Sequence, residues 1–287
     1  MAPRIYTRVA FWRKLGPKER LVHIVRALAE IHPDWIFTGT TAAVLHGLYV
    51  SYDDIEEGGK PQIHVQGRSG KLSYAGFTVK FGFFQPGLRV LTRVLGVPAA
   101  DPMTAALECA CALPFPRALA IADSVARFYG LGREQMLGMV EICGRGIRGI
   151  KTARRAFAHA NGLSENGGES IARGVMIEEG FLEPLLQVAV VDPVDGEEYR
   201  PDYTWTDGVR TIAYGEHDGE EKLRDEGMRG GRSVAHAARA ERLRESRLTV
   251  GGVKVVRFTP ELVEDRRTFA RLLDAYGIPH VKGGDGL

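Results

Sequence analysis

A polar, glycine-rich stretch from Ser164 to Gly168 divides the sequence into two parts with different patterns. Before it, from residue 102 to about residue 160, alanine and leucine recur at helical spacing. After it, β-branched and aromatic runs such as Tyr199–Trp205 and Val209–Glu216 alternate with turn residues. Since 287 residues suffice for two cores at about 100–200 residues each, we expect one domain of residues 1–163 and another of residues 164–287.

Composition narrows the class of protein. Apolar residues make up 44% of the chain and charged residues 26%, which is typical of globular proteins and excludes disordered and collagen-like ones. No run approaches the roughly 18 uncharged apolar residues that a membrane span needs. The three cysteines, Cys109, Cys111 and Cys143, lack the second pair of a zinc site and indicate free thiols in a reducing compartment. We therefore expect a cytoplasmic protein without a membrane segment.

The first part combines helices with a small β region. A helix is expected to start at Pro17, and a second, short one to start at Thr38, Thr40 or Thr41 and to end at Gly47. Short β-branched and aromatic runs between Gln62 and Phe84 predict strands. The prediction for residues 1–163 is a small α/β region followed by helices. Residues 1–26 are locally basic, and a second basic stretch over 133–155 is either a solvated face or a phosphate-facing patch.

The second part predicts the element order α-β-β-β-α-β-α. The Asp207-Gly208 pair is a turn signal between two strands, and Pro260 suits the first turn of the last helix. The expected elements are a helix over 169–180, a strand near 184–192, strands over 199–205 and 209–216, a charged helical stretch over 220–247, a strand over 253–259 and a helix over 261–277. With the first part, this gives an α+β protein.

Four acidic residues of the second part stand at the ends of these elements. Glu216 and Asp218 are two apart, so they face the same side if the strand persists that far, and Asp202 lies on the neighbouring strand. Three carboxylates with waters and a substrate phosphate suit Mg²⁺ or Mn²⁺. Such an ion supports phosphodiester hydrolysis, with Lys222 as the cation that positions the attacking water. The alternative is that these acids form a plain, solvent-facing hairpin.

The order of these residues resembles that of a known protein superfamily. Pro201-Asp202, then Glu216-His217-Asp218-Gly219, Lys222 and the run 255–259 (VVRFT) resemble the very-short-patch-repair-like (Vsr-like) branch of the PD-(D/E)xK nuclease superfamily over about residues 164–277. The resemblance implies a restriction-endonuclease-like α-β-β-β-α-β domain. It also implies a glutamate in the first helix, here Glu169, and a glutamine on the first strand, here Gln187. Asp218 stands where the superfamily usually has its lysine, so that role is carried to Lys222.

The first part carries a second resemblance. The segment from Thr40 to Leu48 (TTAAVLHGL) is similar to a segment of the abortive-infection antitoxins of type IV toxin–antitoxin systems, which serve in bacterial phage defence. That family is implied to bind its own promoter through an N-terminal winged helix. Here only about 35 residues precede the segment. His46, within the segment, is interpreted as a structural residue whose ring bonds a backbone carbonyl, with a ligand role as the alternative.

Two functions from different classes remain open. The first is Mg²⁺-dependent DNA endonuclease activity, with Asp202, Glu216 and Asp218 as metal ligands and Lys222 and Glu169 as further catalytic residues; Glu169 either supports a second ion or orients Arg173. The second is a non-catalytic antitoxin or transcriptional regulator that binds DNA or a toxin protein. His217 alternates with Glu216 and is expected to face away from the site.

Overall fold

The protein is described by a computed structural model, which covers residues 5–82, 91–144, 146–192, 196–218 and 252–281. The chain divides into two compact units, Met1–Gly162 and Leu163–Leu287, one residue from the boundary expected between domains. Helices and strands occur in both units, so the expected mixed α+β character is confirmed. Within the described ranges, no helix is both long enough and apolar enough to cross a membrane.

The described part of unit 1 (residues 1–162) is rich in α-helices. They are α1 (Val9–Trp12), α2 (Pro17–Ile31), α3 (Gly39–Leu45), α4 (Pro102–Ala112), α5 (Phe115–Tyr129), α6 (Arg133–Cys143) and α7 (Ile150–His159). The predicted start of a helix at Pro17 is confirmed, because proline occupies the first turn, where its missing N–H is not needed. Asp101 begins α4 by accepting hydrogen bonds from the backbone N–H groups of Met103 and Thr104.

The β region of unit 1 is a small mixed sheet and a hairpin. Its strands are β1 (Glu56–Glu57), β2 (Lys60–Gln66), β3 (Gly70–Ser73), β4 (Thr78–Gly82), β5 (Leu91–Val94) and β6 (Val97–Ala100). The sheet has the order β1-β2-β4-β3, with β2 and β4 parallel, and β5 pairs with β6. Phe37, fully buried, forms bridges to both Val65 and Ala99 and so links the sheet to the hairpin.

Polar contacts fix α3 and the residues around it in place. The Nε2–H of His46 donates to the carbonyl of Ala100 at 2.8 Å, which confirms its predicted structural role. Glu108 accepts from the backbone N–H of Gly39 at 2.8 Å and from the hydroxyl of Thr38, at the start of α3. His64 contacts the hydroxyl of Thr40 at 2.8 Å, and burial lowers the pKa of its imidazole to about 4. His64 is therefore neutral at neutral pH and acts as a packing residue.

Within the described residues, unit 2 (residues 163–287) contains a three-stranded sheet with helices packed against one face. Its elements are α8 (Gly167–Glu178), β7 (Val190–Val191), β8 (Glu198–Tyr199), β9 (Tyr203–Thr206), β10 (Thr211–His217), β11 (Lys254–Phe258), α9 (Pro260–Glu264) and α10 (Arg266–Tyr276). The sheet order is β11-β10-β9, with β9 antiparallel and β11 parallel to β10. β7 and β8 form a separate small hairpin.

Among the described residues, the elements of unit 2 differ from the prediction in three places. The strand expected over 199–205 is divided into β8, which pairs with β7, and β9, which pairs with β10. The strand expected near 184–192 is reduced to β7 and an antiparallel bridge between Leu185 and Thr204, and Gln187 has a φ of +54°, which interrupts an extended strand. The expected last helix is divided at Asp265, whose carboxylate accepts from the N–H of Thr268 at 3.2 Å and so begins a new helix. The helical stretch predicted over 220–247 lies outside the described residues.

One face of the sheet of unit 2 carries the hydrophobic core. Tyr203 and Trp205 of β9, Val256 and Phe258 of β11 and residues of α8 and α10 pack together there. The hydroxyl of Tyr203 donates to the carbonyl of Glu169 at 2.9 Å, so α8 lies on this face. Gly215 also faces it, because a Cβ atom at Gly215 would lie 2.8 Å from the Trp205 ring. Since side chains alternate along a strand, Glu216 faces the opposite side.

Candidate functional site

Asp202 immediately precedes β9, and it lies beside Glu216, the penultimate residue of the adjacent strand β10. The pairing of Tyr203 with Gly215 puts Asp202 level with Glu216, because the two strands are antiparallel. Side chains at such opposed positions have Cβ atoms about 4.5–5.5 Å apart. Both residues are buried, with exposed fractions of 6% and 7%. The structure therefore places two of the predicted acidic residues next to each other, and their joint role in a site stays a prediction.

Each of the two carboxylates accepts a hydrogen bond from another residue of unit 2. Oδ2 of Asp202 accepts a hydrogen bond from the backbone N–H of His217 at 2.8 Å. The hydroxyl of Tyr199, at the end of β8, donates to Oε1 of Glu216. Hydrogen bonds to ionised carboxylates are stronger than neutral ones, so these contacts fix the orientation of the pair. Tyr199 is a site residue that the sequence analysis missed, because nothing in its local pattern links it to Glu216.

Asp218, the third predicted metal ligand, contacts an arginine. Its backbone N–H donates to the carbonyl of Phe258 at 3.0 Å, one residue beyond the end of β10 at His217. Its Oδ1 atom lies 3.1 Å from Nη1 of Arg257, and the two side chains are 44% and 30% exposed. Arg257 is also the register partner of Glu216 on β11. Asp202, Glu216 and Arg257 thus form one row across three strands.

The described residues fit a metal site with two carboxylate ligands but not one with three. Within the described ranges, no group of three or more His, Cys, Asp or Glu side chains is arranged to hold a metal ion. The three-carboxylate arrangement is therefore not found among them, and Asp218 is engaged with Arg257. The pair Asp202 and Glu216 fits a two-carboxylate site, because Mg²⁺ is commonly held by one or two carboxylates together with water and substrate phosphate.

Glu169 is part of the N-terminal cap of α8. Its carboxylate accepts from the backbone N–H of Glu165 at 2.6 Å and from the side-chain amide of Asn166 at 2.7 Å. Asn166 in turn accepts from the backbone N–H of Glu169 at 3.1 Å. This reciprocal arrangement satisfies N–H groups that the first turn of a helix leaves without partners. The cap accounts for the burial of Glu169.

Substitution of Glu169 by alanine is expected to lower the free energy of unfolding of unit 2 by about 1 kcal/mol, because the cap of α8 is lost. Hydrogen–deuterium exchange of the amides of α8 in the full chain measures this effect. Asn166→Ala is the matched control, since it removes the other half of the same cap, and a loss of similar size is expected. A loss of stability in Asn166→Ala without a loss in Glu169→Ala would contradict the reciprocal cap.

The other residues implied by the resemblance have local partners. Arg173, whose side chain is fully buried, donates from Nη1 to Oε1 of Glu183 at 2.7 Å. Gln187 lies in a left-handed turn rather than on a strand, and its amide is 3.4 Å from Oε1 of Glu165. Its predicted position on the first strand is therefore wrong.

The ring of His217 lies on the core side of the sheet. It packs edge-on against Phe258, with 5.8 Å between ring centroids, and a Cβ atom at Gly168 of α8 would lie 2.8 Å from its Cε1 atom. The prediction that His217 faces away from the carboxylate pair is confirmed, because Gly168 belongs to the helix on the opposite face from Glu216.

Some predicted residues lie outside the described part of the chain. Lys222, Gly219 and the helical stretch over 220–247 belong to this group, so their predicted roles stay predictions.

In unit 1 the three cysteines are free thiols, and burial raises the pKa of the Cys109 thiol. Two arginines of the basic stretch 133–155 have partners, since Arg154 pairs with Glu141 at 2.5 Å and Arg155 lies 4.1 Å from the centroid of Phe115.

Comparison with known proteins gives distant relatives of unassigned function. The chain is 39% identical over 117 residues to an uncharacterized protein of Mycobacterium tuberculosis, found in strains CDC 1551 and H37Rv. The match covers 41% of this chain and 42% of that protein, so the chain spans about two fifths of the length of these curated relatives. No family model and no solved structure matches the chain.

Proposed function

We propose that unit 2 hydrolyses phosphodiester bonds of DNA with a Mg²⁺ or Mn²⁺ ion held by Asp202 and Glu216. The observation that carries this proposal is the position of two buried acidic residues beside each other, Asp202 just before β9 and Glu216 near the end of β10. The described order of α8, the Leu185 bridge, β9, β10 and β11, with β11 parallel to β10, supports it, since it is compatible with the α-β-β-β-α-β order that the resemblance implies.

Electrostatics favours a cation at this pair. Two carboxylates in one buried site repel each other unless a proton or a cation lies between them. A divalent ion there supplies charge neutralisation for the cleaved phosphate and lowers the pKa of a bound water. The N–H of His217 orients Asp202 and the hydroxyl of Tyr199 orients Glu216, while Lys222 is proposed to position the water.

The test is nicking of supercoiled plasmid by the full chain with Mg²⁺ or Mn²⁺. We expect Asp202→Asn and Glu216→Gln each to lower the rate by more than about 100-fold, since loss of a ligand exceeds the 10–100-fold effect of a supporting residue. Glu169→Ala, which removes a cap, is expected to retain nicking at temperatures where unit 2 is folded.

Glu198→Gln is the matched control for these variants. Glu198 is an exposed carboxylate of the same unit that pairs with Arg200 at 2.6 Å, so its neutralisation is expected to leave the rate unchanged. Metal-dependent nicking that persists at the wild-type rate in both Asp202→Asn and Glu216→Gln would refute the proposed site.

The second candidate is a non-catalytic antitoxin or regulator that binds DNA or a toxin protein in the cytoplasm. It is favoured by the protein partners that the carboxylates already have, namely Tyr199 for Glu216 and Arg257 for Asp218. Wild-type protein that retards DNA but does not nick it with either ion supports this candidate. A neighbouring gene for a nucleotidyltransferase-like toxin would identify the partner protein.

A further inference from the structure

Arg257 places a positive charge at the end of the carboxylate row. It is the register partner of Glu216 on β11, and Glu216 in turn lies level with Asp202, the residue just before β9. The carboxylates of Asp202 and Glu216 are buried, whereas the Arg257 side chain is 30% exposed. The row therefore changes from buried negative charge to a solvent-accessible guanidinium over two strand spacings, roughly 10 Å.

The contact between Arg257 and Asp218 is of a kind that an incoming anion can replace. Their closest atoms are 3.1 Å apart, and the Asp218 side chain is 44% exposed. Ion pairs that water reaches contribute little to stability, because both charges are also well solvated when separated. A phosphate, by contrast, accepts two parallel N–H bonds from a guanidinium.

The partners and position of Arg257 distinguish it from two other basic residues of the described part of unit 2. Lys254, on the same strand, donates to the carbonyl of Tyr276 at 3.1 Å. Arg266 pairs with Glu178 and Glu179 at the C-terminal end of α8, on the core side of the sheet. Arg257 faces the same side as Glu216, because residues in register on parallel strands share a face.

We propose that Arg257 binds a backbone phosphate of DNA beside the carboxylate pair, and that Asp218 holds the guanidinium in position until DNA displaces it. This inference rests on the proposed function, since it assigns the phosphate contact of the same site. It also gives Asp218 a role as a positioning residue and as a competitor of the phosphate.

The experiment measures DNA binding without cleavage. Fluorescence anisotropy of a labelled 20-base-pair duplex is recorded with the full chain in EDTA over a series of salt concentrations. Arg257→Gln is expected to weaken binding about 5- to 20-fold and to lower the slope of log K against log salt by about 1, the contribution of one phosphate contact. Asp218→Asn is expected to strengthen binding about 2- to 5-fold, because the competitor of the phosphate is removed.

Two controls separate this effect from net charge. Arg266→Gln removes a partly exposed arginine on the core side of the sheet, and Glu198→Gln removes an exposed carboxylate of the β7–β8 hairpin. Both are expected to bind the duplex as the wild type does. Hydrogen–deuterium exchange of β10 and β11 establishes that each variant is folded.

The outcomes for binding and for hydrolysis are distinguishable. Wild-type affinity and salt slope in a folded Arg257→Gln variant, or a wild-type protein that binds no duplex at low salt, would overturn the assignment of Arg257. If Arg257→Gln does not fold, unchanged or weaker binding by Asp218→Asn overturns it instead. Weakened binding by Arg257→Gln, in a protein whose wild type does not nick plasmid, supports the phosphate contact and refutes hydrolysis.

Discussion

Alanine at position 149 is expected to lower the free energy of unfolding of unit 1 by about 3 kcal/mol. Gly149 lies just before α7 with a φ of +85°, a conformation that costs other residues about 1–2 kcal/mol. A Cβ atom there would also lie 1.9 Å from the backbone carbonyl oxygen of Cys111. Because that oxygen belongs to α4, the clash is relieved only by moving α4 and α7 apart. Urea unfolding of the full chain, followed by hydrogen exchange of α4 and α7, measures the loss.

Gly130→Ala provides the matched control. Gly130 ends α5 with a φ of +64°, yet a Cβ atom there would meet nothing within 4 Å. Its substitution therefore carries the conformational cost alone, about 1 kcal/mol. Equal losses in Gly149→Ala and Gly130→Ala would show that the close approach of Gly149 to Cys111 is absent from the protein.

Arg173→Met is expected to destabilise unit 2 by about 3 kcal/mol, because it breaks an ion pair whose guanidinium is buried. The Arg173 side chain is fully buried, and the Glu183 side chain that it contacts is 36% exposed. Methionine replaces most of the volume of the side chain, so the loss reports mainly on the polar contacts. Hydrogen exchange of α8 and β9 in the full chain follows the change.

A double-mutant cycle with Glu183→Gln isolates the pair. We expect the double variant to lose less stability than the sum of the single ones by about 2 kcal/mol, since a buried charge no longer lacks its partner. Glu198→Gln, at an exposed pair, is expected to change stability by less than about 1 kcal/mol. Additive losses at Arg173 and Glu183 would contradict the coupling.

Local signals in the sequence predicted much of the secondary structure. Pro17 marks the start of α2, and the Asp207-Gly208 turn separates β9 from β10, as predicted. These predictions succeed because the preferences of proline, glycine and aspartate act within a few residues. The prediction of a strand near Gln187 was wrong, because the β-branched run around Gln187 gives no signal of the left-handed backbone conformation that this residue adopts.

The sequence predicted where the acids of the candidate site lie, but not which residues contact them. The period of two along a strand predicted that Glu216 and His217 face opposite sides, and the order of the acids predicted that Asp202 lies beside Glu216. The partners of these acids come from elsewhere in the chain: Arg257 follows Asp218 by 39 residues, and Tyr199 lies in the separate β7–β8 hairpin.

By itself, the sequence determined the mixed α+β character of the chain and the faces that the residues of β10 present, because periodicity and turn chemistry are local properties. Tertiary structure alone decided that Glu169 completes the cap of α8, that Asp218 contacts Arg257 and that no group of three potential metal ligands forms among the described residues. The physical reason is that a carboxylate binds whichever donor the strand register brings near, and register is set by pairing between distant segments.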